Sequence, residues 1–192
     1  MPLDRNHAVP ALIGAPDDFL MVAGLAGTAY ELAALTDDGD NLYALGGAMG
    51  AALSMGLGLA LSQPKRRVLV ATGDGELLMN VGALATISVM QPANLSILCV
   101  DNGHYGETGF QRSHTSLGVD LEQMAIGAGI GSTMTIERED QLPAGARMLR
   151  ESNGPCFVLL KVSTADPRKD KLSLDAGANR VRFRHAIQRA SG

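Results

Sequence analysis

The chain has 192 residues, 46 % hydrophobic and 19 % charged, with a formal net charge of −4, which suits one globular domain with a substantial core and excludes a disordered polyelectrolyte. The acidic balance, with no basic run longer than Lys65-Arg66-Arg67, argues against nucleic acid as a partner. Charged residues near the start leave no signal-peptide core, and the longest apolar stretch, 48–62, is shorter than a membrane span, so a soluble cytoplasmic protein with no membrane partner is expected.

Along the chain, residues 19–23 read as a strand that runs into the glycine-punctuated segment Gly24-Leu25-Ala26-Gly27-Thr28. A helix over about 29–35 and a turn at 37–40 follow. Residues 49–62 predict a buried helix rich in small residues and stopped by Pro64. The run 68–72 is β-branched and apolar almost throughout, the pattern of a strand covered on both faces. A helix over 77–90, closed by Pro92, precedes a second buried strand at 95–100. The remainder predicts helix 120–127, strand 133–136, helix 139–151 and strand 156–162. A polar loop at 165–175 and a last helix over 179–189 complete the chain. Cys99 and Cys156 fall inside apolar runs and read as free buried thiols of a reducing compartment. Strands alternating with helices of this length predict an α/β fold, a mostly parallel central sheet with helices on both faces, as one domain over 1–192.

In such sheets ligands bind beyond the C-terminal ends of the strands. Two strand ends carry suggestive groups, Thr72-Gly73-Asp74-Gly75-Glu76 and Asp101-Asn102-Gly103-His104-Tyr105-Gly106. Glycines around Asp74 allow close backbone approach to a ligand, and the helix that follows offers free amides to a phosphate. A hard dication such as Mg²⁺ requires oxygen ligands. Asp74 can supply one, the Asn102 amide a second and a backbone carbonyl such as that of His104 a third, with phosphate oxygens and water completing the shell.

Gly73-Asp74-Gly75 followed at this distance by Asn102 resembles the fingerprint of thiamine-diphosphate-dependent enzymes. The stretch Gly47-Ala48-Met49-Gly50 is similar to the segment preceding that fingerprint in acetolactate synthase and the 2-oxoacid decarboxylases. Residues 73–80 together with 101–109 look most like the small β subunits of sulfopyruvate decarboxylase and like phosphonopyruvate decarboxylase. The resemblance spans about 20–162 and implies the diphosphate-binding domain of such an enzyme, with thiamine diphosphate and Mg²⁺ as cofactors. Under it Asp74, Asn102 and the His104 carbonyl hold the metal. Gly27, Thr28, Gly73, Gly75 and Glu76 approach the diphosphate, and Tyr105 and Gly106 adjoin the cofactor. Met49 props the cofactor in its bent form, and the Gly47 carbonyl accepts from the aminopyrimidine.

The glutamate that activates the aminopyrimidine belongs, in this family, to a separate pyrimidine-binding domain. The resemblance therefore implies a partner subunit, arranged as a heterotetramer, and a small 2-oxoacid substrate. Tyr105, Glu107, Thr108, Gln111 and His114 follow Asn102 closely enough to line the substrate space. His114 and Glu107 are the acid–base candidates, His114 because an unperturbed imidazole titrates near neutrality. Gly109-Phe110-Gln111 departs from the Gly-Gly-Gln of the relatives, and Arg112 offers a group for an anionic substrate. A carboligase of the acetolactate-synthase kind, the β subunit of a 2-oxoacid oxidoreductase and a non-catalytic binding module are the competing readings. The oxidoreductase is disfavoured by the absence of a cysteine cluster.

Overall fold

The computed structural model describes residues 2–169 and 172–189. Its centre is a six-stranded sheet in the order β2-β1-β3-β4-β8-β7. The strands are β1 (Phe19–Ala23), β2 (Leu42–Ala44), β3 (Arg67–Gly73), β4 (Leu95–Asp101), β7 (Ser132–Ile136) and β8 (Cys156–Lys161), and every neighbouring pair is parallel. A two-stranded antiparallel hairpin, β5 (His104–Tyr105) and β6 (Gln111–Arg112), follows β4 directly.

The period-two alternation of each strand divides the core. Phe19, Met21, Ala23, Leu69, Ala71, Leu98 and Val100 face one layer. There they meet α1 (Arg5–Ile13), α2 (Gly27–Thr36) and α7 (Leu142–Glu151). Leu20, Val22, Val68, Val70, Ile97 and Cys99 face the other. That layer holds α3 (Ala52–Ser62), α4 (Asp74–Leu78), α5 (Ala83–Met90), α6 (Leu121–Gly127) and Phe183 of α8 (Ala176–Arg189). Both layers being apolar explains why β1 and β4 are buried at every residue.

The predicted α/β architecture is thus observed, with four local differences. The helix expected over 77–90 is two helices, because 79–82 form turns. At that break Asn80 donates its side-chain amide to the Gly50 carbonyl (3.0 Å), a tie across the chain. The helix expected from 139 opens as a 3₁₀ turn, Glu139–Gln141, before α7 starts at Leu142 with Pro143 in its first turn. Helix α1 was not predicted. Its mixed pattern, with Pro10 inside, gives no amphipathic signal, yet Val9, Leu12 and Ile13 are fully buried. Strand β2, three residues long, lies in a segment for which the sequence predicts no element.

Topology places the site. From β1 the chain moves outward to β2, then returns across β1 to β3 and continues the other way. Connections leaving β1 and β3 therefore diverge, and a crevice opens between their C-terminal ends, the usual ligand position in open parallel sheets.

Candidate functional site

A cavity of about 200 Å³ occupies that crevice. Leu25 to Thr28, the segment after β1, form one part of its wall. Gly73 to Glu76, from the end of β3 into α4, form another, and Asn102, His104 to Thr108 and Phe110 of the hairpin region form a third. Met49 joins them, with 40 % of its surface exposed. Of the residues singled out in the sequence, Gly27, Thr28, Met49, Gly73, Asp74, Gly75, Glu76, Asn102, His104, Tyr105, Gly106 and Glu107 line this one cavity. Gly47 and His114 do not. Gly47 lies two residues from Met49 and accepts its N–H (3.2 Å), and His114 is exposed at the start of a 3₁₀ turn, His114–Leu117.

Asp74 begins α4 and is only 2 % exposed. Its Oδ2 accepts from the buried Ser113 hydroxyl and lies 3.0 Å from Thr115 Oγ1. Thr115 Oγ1 also lies 2.7 Å from Asp101 Oδ1, and Asp101 receives the Gly103 N–H (2.9 Å) and pairs with Lys161 Nζ (2.6 Å). The single Thr115 hydroxyl proton thus stands between two carboxylates, with the shorter contact to Asp101, and Lys161 offsets the charge of that second carboxylate. Burial pushes the Asp74 carboxyl above its ordinary range. The Ser113 hydrogen bond opposes the rise, and the nearby Asp101 charge adds to it.

Glu76 returns its side chain to the Gly73 N–H (3.3 Å), the reach of a capping-box glutamate at the third helical position. It is 4 % exposed, and its Oε1 has no hydrogen-bond partner. Burial raises its carboxyl, with the Thr72 side chain and the Gly73 amide among the groups opposing. Asn102 Oδ1 accepts from His104 N (3.0 Å), which keeps a second lone pair on that oxygen. The His104 ring lies 2.9 Å from the Asn102 carbonyl through Nδ1 and stacks on Phe110 at 4.6 Å.

Ser113, Thr115, Asp101 and Lys161 escaped the sequence reading as supports of Asp74, since nothing local links them. Arg5 escaped it too. It comes from α1, is buried against Glu31 of α2, and lines the cavity.

The donor set fits a magnesium diphosphate. Among the described residues no three His, Cys, Asp or Glu side chains converge as metal ligands. A resident ion would take Asp74, the Asn102 amide and a carbonyl, the oxygen donors at this corner, with phosphate oxygens filling the rest. The first-turn amides of α4 have no intrahelical acceptor and border the same space. Four carboxylates (Asp74, Glu76, Glu107, Asp166) and two basic residues (Arg5, Lys169) line the cavity, so an anionic ligand is favoured only if it enters with a cation.

Comparison with known proteins shows the family. Residues 25–160 match the family model described as thiamine pyrophosphate enzyme, C-terminal TPP binding domain. The chain belongs to that family of thiamine-diphosphate-binding domains. Within the family it stands with the decarboxylases. It is 35 % identical to the beta subunit of sulfopyruvate decarboxylase from Methanothermobacter thermautotrophicus, covering 100 % of this chain and 99 % of that one. A sulfopyruvate decarboxylase from Methanosarcina acetivorans is 32 % identical over 95 % of this chain, which spans 47 % of that protein. Benzoylformate decarboxylase from Polynucleobacter necessarius shares the fold, with a TM-score of 0.70 at 18 % identity over 88 % of this chain and 35 % of that one. No helix among the described residues is long and apolar enough to cross a membrane.

Proposed function

We propose that this chain is the thiamine-diphosphate- and Mg²⁺-binding subunit of a two-subunit 2-oxoacid decarboxylase of the sulfopyruvate or phosphonopyruvate type, completed by a pyrimidine-binding partner subunit in a heterotetramer. The observation that carries it is the convergence of Gly27 and Thr28, Asp74 to Glu76, and Asn102 on one cavity at the topological switch point. The match to nearly all of a beta subunit, but to 47 % of a longer sulfopyruvate decarboxylase, supports the division into two chains.

Asp74 and Asn102 hold Mg²⁺ through side-chain oxygens and His104 through its carbonyl, and the ion cancels the acidic excess of the wall. Backbone amides of Gly75 and Glu76, together with Gly27 and Thr28, receive the diphosphate, with Gly73, Tyr105 and Gly106 completing that wall. Met49, in the cavity wall, would prop the cofactor in its bent form; the Gly47 carbonyl, outside that wall, would take the amino group only where the partner extends the site. When bound, thiamine diphosphate supplies the electron sink for decarboxylation. Glu107, in the cavity wall, is the proton-transfer group of this chain. His114 joins it only where partner and substrate extend the site beyond the wall seen here.

The test is purification of the tagged chain from its native source, followed by carbon dioxide release assays with sulfopyruvate and phosphonopyruvate in Mg²⁺ and thiamine diphosphate. A stoichiometric partner, activity confined to the complex and loss of at least a hundredfold in Asp74→Asn are expected. Full activity in Asp74→Asn would refute the metal assignment. A ligated product in place of the aldehyde would move the chain to the carboligases.

A further inference from the structure

The cavity has one buried cation that the fingerprint does not account for. Arg5 opens α1 and is 5 % exposed. The neighbourhood of Leu3 holds it beyond the C-terminal end of β8. Leu3 bridges Val162 just beyond β8, and the Ser163 N–H donates to the Leu3 carbonyl (2.8 Å). From there the guanidinium crosses to α2. Its Nε donates to Glu31, while the rest of the fork lies over the first residue of α2, so that a Cβ on Gly27 would come within 2.2 Å of Nη2 and 3.0 Å of Nη1. Only glycine at 27 leaves the fork that position.

As a structural ion pair this arrangement is poor. Both partners are buried, and taking two charges out of water costs several kcal/mol unless the remaining donors and acceptors are satisfied. Glu31 Oε2 has no hydrogen-bond partner. Burial, outweighing the hydrogen bond and charge of Arg5, raises the Glu31 carboxyl above its ordinary range. Such a pair stabilises the fold weakly, yet it stands in the cavity wall beside Gly27 and Thr28. With Nε committed to Glu31, the two η nitrogens present the edge that binds a tetrahedral oxyanion through two parallel hydrogen bonds. The other basic residue of the wall, Lys169, is exposed.

We infer that Arg5 binds the diphosphate of thiamine diphosphate at the Gly27–Thr28 corner, as a second cationic contact beside the ion held by Asp74, and that Glu31 is its positioning residue. The inference rests on the cofactor reading above. A sulfonate or phosphonate on the substrate offers the same chemistry. The cofactor is favoured because the fork lies on the segment after β1 assigned to the phosphates rather than on the hairpin that follows Asn102.

The test uses the assembly in which the full chain purifies. Calorimetric titration with thiamine diphosphate in saturating Mg²⁺ is compared for wild type, Arg5→Lys, and Arg5→Gln combined with Glu31→Gln, which removes both charges and leaves no bare carboxylate. Loss of a charge-assisted hydrogen-bonded contact predicts a Kd raised roughly ten- to a hundredfold in the double variant, and several-fold in Arg5→Lys, with substrate KM at saturating cofactor unchanged. Thermal unfolding reports whether the variants fold, and if the double variant does not, Arg5→Lys decides. Wild-type Kd in the variants overturns the inference. So does a raised KM with an unchanged Kd, which would assign Arg5 to the substrate anion. Asp74→Asn separates the two readings. If it abolishes binding while the Arg5 variants bind normally, only the Arg5 assignment falls; if wild type binds no thiamine diphosphate, the cofactor reading falls and this inference with it.

Discussion

Asp74 is a metal-ligand candidate whose usefulness depends on residues nearly forty positions away. Ser113 is completely buried and donates to Asp74 Oδ2, and Thr115 lies between that oxygen and Asp101. These contacts hold the carboxylate in one orientation. Removing groups that orient a ligand typically lowers metal affinity ten- to a hundredfold. Ser113→Ala should therefore raise the Mg²⁺ concentration needed for half-maximal thiamine diphosphate binding by about tenfold or more, with little change in secondary structure by circular dichroism. The cysteines behave oppositely. Burial pushes the Cys99 and Cys156 thiols upward, Cys99 especially so because Asp74 and Asp101 add negative charge nearby. Both are fully buried, so neither should react with iodoacetamide at pH 8 until the chain is unfolded, as mass spectrometry of the alkylated protein would report.

Among the elements, α3 shows how small residues set helix-to-sheet distance. A Cβ on Gly56 would come within 2.1 Å of Val70 Cγ2, a branched methyl in a buried strand with nowhere to turn. Gly58, in the same helix, is exposed and would meet nothing within 4 Å. Overpacking costs about 1–3 kcal/mol, against a gain of about 1 kcal/mol from replacing glycine in a helix. Gly56→Ala should thus lower stability by up to about 2 kcal/mol in urea unfolding, while Gly58→Ala should raise it by up to about 1 kcal/mol. Between α4 and α5 the break at 79–82 has a comparable local logic. Gly50 has φ of 80° and packs directly on Asn80, whose amide holds the Gly50 carbonyl. That clasp ties the segment carrying Met49 to the end of α4, so Met49 and the Asp74 turn, both in the cavity wall, are positioned together.

For the whole molecule, the open side of the cavity is the informative feature. Met49 and Phe110 line it yet are 40 % and 47 % exposed, whereas the sheet beneath is sealed. An apolar rim around a polar floor is what a covering partner would use. If the partner supplies the pyrimidine side of the site, carbon dioxide release should rise linearly with added partner and saturate at an equimolar ratio. Oxidation of Met49 by peroxide should slow in the complex with cofactor bound. Removing Mg²⁺ with EDTA should abolish turnover and restore the charge conflict between diphosphate and the acidic wall, so that re-addition of Mg²⁺ recovers activity. An enzyme insensitive to EDTA after exhaustive dialysis would contradict the assigned ligand set.

Much of this was readable from the amino-acid sequence because the relevant signals are local. The apolar runs at 68–72 and 95–100 specify buried strands through composition alone, and they are observed as β3 and β4 with one or two added residues. Asp74 and Asn102 directly follow those strands, so their place at the sheet's C-terminal edge is a consequence of strand polarity. Helix α1 and strand β2 were illegible, one lacking a periodic pattern and the other too short to show one. Arg5 with Glu31, Thr115 with Asp74 and Lys161 with Asp101 are 26, 41 and 60 residues apart, and no spacing rule pairs them. What the sequence determined by itself was the parallel α/β class and the Gly73-Asp74-Gly75 and Asn102 fingerprint at two strand ends. Which buried hydroxyls, carboxylates and guanidinium surround that fingerprint was decided only by the tertiary structure, because a parallel sheet gathers the ends of distant strands onto one edge.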